Sequence, residues 1–173
     1  MSPGRRAPQL NLRLDAGTAN PAQRWHDGAS LAYLGDHLCL TLDSSQAEAR
    51  REGKRLHLPL PPQATPRQIQ DRAEAWLREE ATRLLQEVIT QKFLEGRSAS
   101  TLAARRAPRL ALSFAARGNW VEPRDGDSLR CNWRLIEQPL PVIEQAIARG
   151  LAALPREDHG GDLFGGNTAA PAT

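Results

Sequence analysis

Long apolar runs are missing from this 173-residue chain. No stretch approaches the ~20 consecutive apolar residues that a membrane-spanning helix needs, so no membrane partner is expected. The basic start, Met1 to Arg6, is not followed by an apolar core segment, so no secretory signal is read there and a cytoplasmic protein is expected. Cysteine is scarce: Cys39 and Cys131 lie far apart and form no Cys-x-x-Cys pair. That excludes a disulfide framework and points to free, buried or semi-buried thiols in a reducing compartment. Histidine is scarce too. The four are 26, 37, 57 and 159, and no two are four residues apart, so no helical face can offer a histidine pair to one metal ion. No glycine-rich phosphate loop and no Ser-His-Asp or Cys-His arrangement stands out.

The hydrophobic fraction, 40%, is enough for one core, and the length suits one domain. Residues 1–22, rich in Pro, Gly, Ala and Arg, read as a flexible leader, with Leu10, Leu12 and Leu14 offering one short edge strand. Residues 23–164 read as the domain and 165–173 as a flexible tail. Ser30–Leu34 alternates moderately and leucines alternate clearly over His37–Leu42 and Lys54–Leu60, with a turn at Gly35-Asp36, which predicts a small antiparallel sheet. Thr65-Pro66 then opens a long helix. Ile69, Ala73, Trp76, Leu77, Ala81, Leu84, Leu85, Val88 and Ile89 recur at three- and four-residue steps, and Gly96 stops it. Arg109–Phe114 and Ser128–Leu135 read as two strands pairing as a loose hairpin across the Arg124–Asp127 turn. Pro139 or Pro141 opens a last helix whose expected buried stripe is Val142, Ile143, Ala146, Ile147, Gly150, Leu151 and Leu154. The fold class is α+β.

Charge is spread unevenly. Between Arg97 and Arg134 stand eight arginines against Glu122, Asp125 and Asp127. Arg97, Arg105, Arg106, Arg109 and Arg117 are therefore candidates for nucleic-acid contact, set against the plainer reading of a solvated basic surface.

One string carries more information than the rest. Cys131-Asn132-Trp133-Arg134-Leu135, followed by a Pro-led amphipathic helix, resembles the YgjP-like metal-dependent hydrolases, a bacterial zincin-type metallopeptidase family. In that family a stretch reading roughly Arg-x-Arg-Trp-Gly-Ser-Cys precedes a hairpin that ends in Leu-Asn-Trp-Arg-Leu. The next helix carries His-Glu-Leu-x-His-Leu, and an Asn-His-Ser follows it. Here Arg117-Gly118-Asn119-Trp120 falls on Arg-x-Arg-Trp, and Val121-Glu122-Pro123 on Gly-Ser-Cys. In ungapped register Arg149 then falls on the first zinc histidine, Gly150 on the catalytic glutamate and Ala153 on the second histidine. Asp158-His159-Gly160 falls on Asn-His-Ser, which leaves His159 as the one surviving ligand position.

The resemblance implies a zincin-like helix in an α+β frame, with zinc as the family's cofactor. The residues present imply its loss. A guanidinium keeps its proton and cannot ligate, and glycine offers no base. The expectation is a pseudoenzyme: no catalytic residue, no cofactor, and a binding or regulatory role toward a protein or peptide partner. Two alternatives stand beside it: a basic nucleic-acid-associated protein using the Arg97–Arg134 segment, and a hydrolase with a metal site rebuilt around His159 from Glu157, Asp158 and Asp162. Arg134 is expected to pair with an acid and hold the hairpin, and Trp133 to pack as strand core.

Overall fold

The computed structural model describes residues 20–96, 106–115, 117–125 and 127–154. Their contacts form two compact units that meet in sequence between Leu77 and Arg78.

In the first unit a short helix, α1 (Pro21–Arg24), precedes four strands: β1 (Ser30–Tyr33), β2 (Asp36–Leu42), β3 (Arg50–Glu52) and β4 (Arg55–Leu58). The β1–β2 hairpin closes through Leu34 and Gly35, both at positive φ (50° and 76°), as a tight two-residue turn requires. Alternation then sends Leu38 and Leu40 of β2, with Leu56 and Leu58 of β4, into the core. The strand order is β1-β2-β4-β3. The sheet departs from the purely antiparallel expectation in one place. β2 and β4 pair in parallel, because residues 43–54 carry the chain back and insert β3 as an antiparallel edge beside β4. β3 is charged throughout and exposed along its length, so its sequence carries no apolar alternation to reveal it.

The helix α2 (Pro66–Glu95) starts as expected. The Thr65 N–H donates to Gln68 Oε1 (2.9 Å), and the Gln68 N–H donates back to Thr65 Oγ1 (3.3 Å), a reciprocal capping box. Its predicted stripe is buried from Ile69 to Ile89 except at Trp76 and Leu84, which are half-buried. The Trp76 ring lies 5.5 Å from that of Tyr33. Among the described residues no helix is long and apolar enough to cross a membrane.

The second unit holds the rest of α2, the strands β5 (Arg109–Ser113), β6 (Val121–Arg124) and β7 (Ser128–Asn132), a 3-10 turn (Trp133–Glu137) and α3 (Leu140–Ala152). The hairpin exists, but β6 forms it with β7, and β5 pairs with β7 in parallel on the other side. Pro123 within Val121–Arg124 hides β6 from a reading by apolar alternation, and it is tolerated because β6 is an edge strand. Leu129 and Cys131 of β7 are fully buried. Gln86 of α2 lies along the outer edge of β5: its side-chain N–H donates to the Pro108 carbonyl (3.2 Å), and its oxygen accepts from the Leu110 N–H (2.9 Å). Lys92 of α2 forms ion pairs with Glu95 and, on α3, with Glu144 (3.2 Å).

Both cysteines are free. Cys131 is buried and Cys39 is exposed, so the expectation of a sheltered thiol holds for one of the two.

Candidate functional site

The Asn-Trp-Arg-Leu string does not continue β7. The strand stops at Asn132, and Trp133–Glu137 coil into the 3-10 turn. Asn132 causes the break. Its side-chain oxygen accepts the Arg134 N–H at 3.0 Å, capping the turn, and its amide donates to the Ala115 carbonyl at 3.0 Å. One buried side chain thus stops a strand, starts a turn and ties down the segment after β5. A short polar side chain of this type favours such local backbone bonds over a ladder.

Trp133 is core, as expected, although it sits in the turn and not in a strand. Two guanidiniums lie over its ring, Arg78 at 5.4 Å and Arg134 at 4.8 Å from the ring centroid. Arg134 also donates to Glu137 at 3.0 Å, so it pairs with an acid as expected, but within its own turn and not across the hairpin. Leu135 and Ile136 are fully buried. The motif therefore fixes where α3 begins, with Pro139 as its N-cap and Pro141 inside its first turn.

α3 brings the three positions of interest to the sheet. Ile143, Ile147 and Gly150 are its buried residues, spaced four and three apart on one face, whereas Val142, expected in that stripe, is exposed because it lies one residue off it. Gly150 lies against β6 and β7. A Cβ built there would meet Val121 Cγ1 at 2.5 Å and Leu129 Cδ2 at 3.4 Å. Carbon–carbon contact is optimal at about 3.5–4.0 Å, so this position has no room for a methyl group, let alone a carboxylate side chain. Arg149 and Ala153 are exposed, and the Ala153 N–H still donates to the Arg149 carbonyl (3.1 Å), so one helical turn links the two. α3 ends there, with Ala153 as its C-cap.

Neither a ligand nor a base is supplied by Arg149, Gly150 and Ala153, so these residues do not fit a zinc ion. His159, Glu157, Asp158 and Asp162 lie outside the described residues, as do Arg97 and Arg105. His26, His37 and His57 belong to the first unit. His57 stands 3.9 Å from Asp43 and 3.8 Å from Glu52, beyond hydrogen-bond reach. Among the described residues no three His, Cys, Asp or Glu side chains come together as a metal site.

Of the arginine candidates, Arg106, Arg109 and Arg117 are exposed. Arg109 is held by Asp127 at 3.0 Å, at the start of β5, while Arg117 lies beyond its far end. Sequence reasoning missed Val121 as the residue that closes the space at Gly150. The signal was available, since the register places Val121 on a family glycine and Gly150 on the family glutamate.

A family model described as "YgjP-like, metallopeptidase domain" matches residues 9–162. No curated protein and no solved structure matches the chain.

Proposed function

The chain belongs to the YgjP-like metallopeptidase-domain family, and we propose that it works there without zinc chemistry, as a binding or regulatory module. The observation that carries this reading is the packing at Gly150. At the position of the family's base, the helix meets Val121 with no space for a side chain, and the flanking ligand positions hold Arg149 and Ala153. A member that had merely lost its ligands by substitution would retain the space between helix and strand. Here, in the register above, valine stands on β6 at the family's glycine and glycine on α3 at its glutamate, and the two positions face each other. The scaffold elements around them are intact: the Asn132 cap, the clamped Trp133 and the Pro-led helix. A frame maintained without its base suits recognition of a protein or peptide, the class of ligand that the family's fold handles.

Metal content of the untagged protein, measured by elemental mass spectrometry before and after dialysis against zinc, tests the reading. No stoichiometric metal is expected, and no chelator-sensitive cleavage of an unfolded protein substrate. One tightly held zinc per chain would overturn the reading, because it would require a site built from other residues, His159 among them.

A further inference from the structure

One face of α3 packs on nothing described. Helical spacing puts Val142, Gln145, Ala146, Arg149 and Ala153 on one side of the helix. Glu144, which pairs with Lys92 of α2, lies on the other side, and Ile143, Ile147 and Gly150 fill the buried arc between the two. The face with Arg149 therefore turns away from α2. It borders the sheet at its edge strand β6, where Gly150 meets Val121. Val142 is 44% exposed on this face, although it is a large apolar residue. No acid stands among the five residues, and the Arg149 side chain has no ion pair or hydrogen bond among the described residues. A cation suits the negative end of a helix, but that alone leaves all five guanidinium N–H donors without a protein acceptor.

The neighbouring edge of β6 is open at a single residue. The Asn132 N–H donates to the Trp120 carbonyl at 2.9 Å, which marks these two as a hydrogen-bonded pair. By alternation Glu122 and Arg124 also turn their backbone groups to β7, and Val121 and Pro123 turn theirs outward. Val121 thus offers both an N–H and a carbonyl, whereas Pro123 offers a carbonyl only. A strand running past both would meet a gap at Pro123. A chain that ends there would not.

We infer that this border of α3 and β6 holds the C-terminal end of a peptide, its last residue paired to Val121 and its carboxylate on the Arg149 guanidinium. The inference rests on the reading of the chain as a zinc-free binding module and names the group that such a module recognises. A planar guanidinium meets a carboxylate with two parallel N–H donors, so charge and shape are matched together. The open edge at Val121 supplies the backbone pairing, and Val142 with Ala146 supplies apolar surface for the peptide's side chains. An inorganic anion would use the guanidinium but leave the edge and the apolar residues in water.

The test uses the full chain and two pools of fluorescein-labelled pentapeptides of randomised sequence, one ending in a free carboxylate and the other in an amide. By anisotropy the free-acid pool is expected to bind about tenfold tighter or more, as hydrogen bonds to a charged group imply. Arg149→Ala should abolish the difference at an unchanged melting temperature, because the side chain is exposed. Arg149→Lys should keep part of it, since the charge stays and the paired donors go. Val142→Glu, at an exposed position, should weaken the free-acid pool by like charge. A free-acid pool bound no tighter than the amide, or a preference that survives Arg149→Ala, would overturn the inference. So would an amidated peptide with one internal aspartate that binds as tightly as the free acid, because the occupant would then be an acidic side chain and not a chain end. In a metal-free protein these results overturn this inference alone, whereas stoichiometric zinc would also remove the reading beneath it.

Discussion

Replacing Gly150 by alanine sets two effects of known size against each other. In an ordinary helix interior the change stabilises by about 0.8–1.0 kcal/mol, because alanine restricts the unfolded chain and suits the helix. Here the new methyl would arrive roughly an ångström inside normal contact with Val121 Cγ1. That atom belongs to a β-branched side chain with few rotamers, on a strand tied to β7, so it cannot swing away freely. Overpacking of this kind costs about 1–3 kcal/mol. Repulsion should therefore win, and Gly150→Ala should destabilise by up to about 2 kcal/mol. A chain of this length loses about 2–4 °C in Tm for each kcal/mol. The clean assay is a double-mutant cycle in urea, followed by tryptophan fluorescence. With Val121→Ala in the background the clash is gone, and Gly150→Ala should turn neutral or stabilising, giving a coupling of about 1–3 kcal/mol between the two sites. If Gly150→Ala raises stability by the full helix increment and shows no coupling to Val121, the closed space at the family's base position does not exist. The principal support for an inactive module then goes with it.

Three further outcomes follow from the same geometry. Arg149→His with Ala153→His places two imidazoles one helical turn apart on the exposed side of α3, so zinc should raise the melting temperature of this variant but not that of the parent. Adding Gly150→Glu should instead collapse the fold, as read by circular dichroism. Burial pushes the Cys131 thiol up to about 12, so it stays protonated. A thiol reagent at pH 8 should titrate one cysteine in the native protein, Cys39, and the second only in denaturant. Hydrogen bonds from the Ser45 side chain and N–H, then from Gln46, hold the Asp43 carboxyl below its ordinary 3.8. A depressed carboxylate contributes stability that is complete above the ordinary value and lost as pH falls through the folded one. Asp43→Asn should therefore flatten the stability profile below about pH 4 relative to the parent. An unchanged acid limb would show that the turn at Asp43 adds nothing.

Where one periodicity spoke alone, the fold was legible in the sequence. The α2 stripe, its Thr65 cap and its Gly96 end were read residue by residue, because a 30-residue helix repeats its signal eight times over. The β2 and β4 leucines were equally clear. The signal failed where tertiary context ruled. β3 is charged and β6 contains Pro123, so neither alternates, and both are positioned by their neighbours on β4 and β7. The parallel pairings of β2 with β4 and of β5 with β7 depend on chain routing, which strand periodicity does not encode. At the candidate site the Pro-led apolar pattern was enough to place Arg149, Gly150 and Ala153 at one helix end. It gave no account of what Gly150 touches. That contact comes from a strand 29 residues earlier, and a glycine in sequence looks the same whether it faces solvent or a wall.

The Gln86 side chain presents an amide to β5 as a neighbouring strand would, with one donor and one acceptor at matched spacing. It thereby caps the half of that edge where an incoming chain would begin to pair. The opposite edge is sealed differently: Pro123 has no N–H to give, and its position alternates outward from β7. A three-stranded sheet this small is normally a template for aggregation, and this one carries a stopper on each side. Exchange of Gln86 for leucine, harmless to the helix by propensity, would unplug one of them. The consequence would be seen first in solubility, as material lost to self-association during concentration, before any change in the folded monomer.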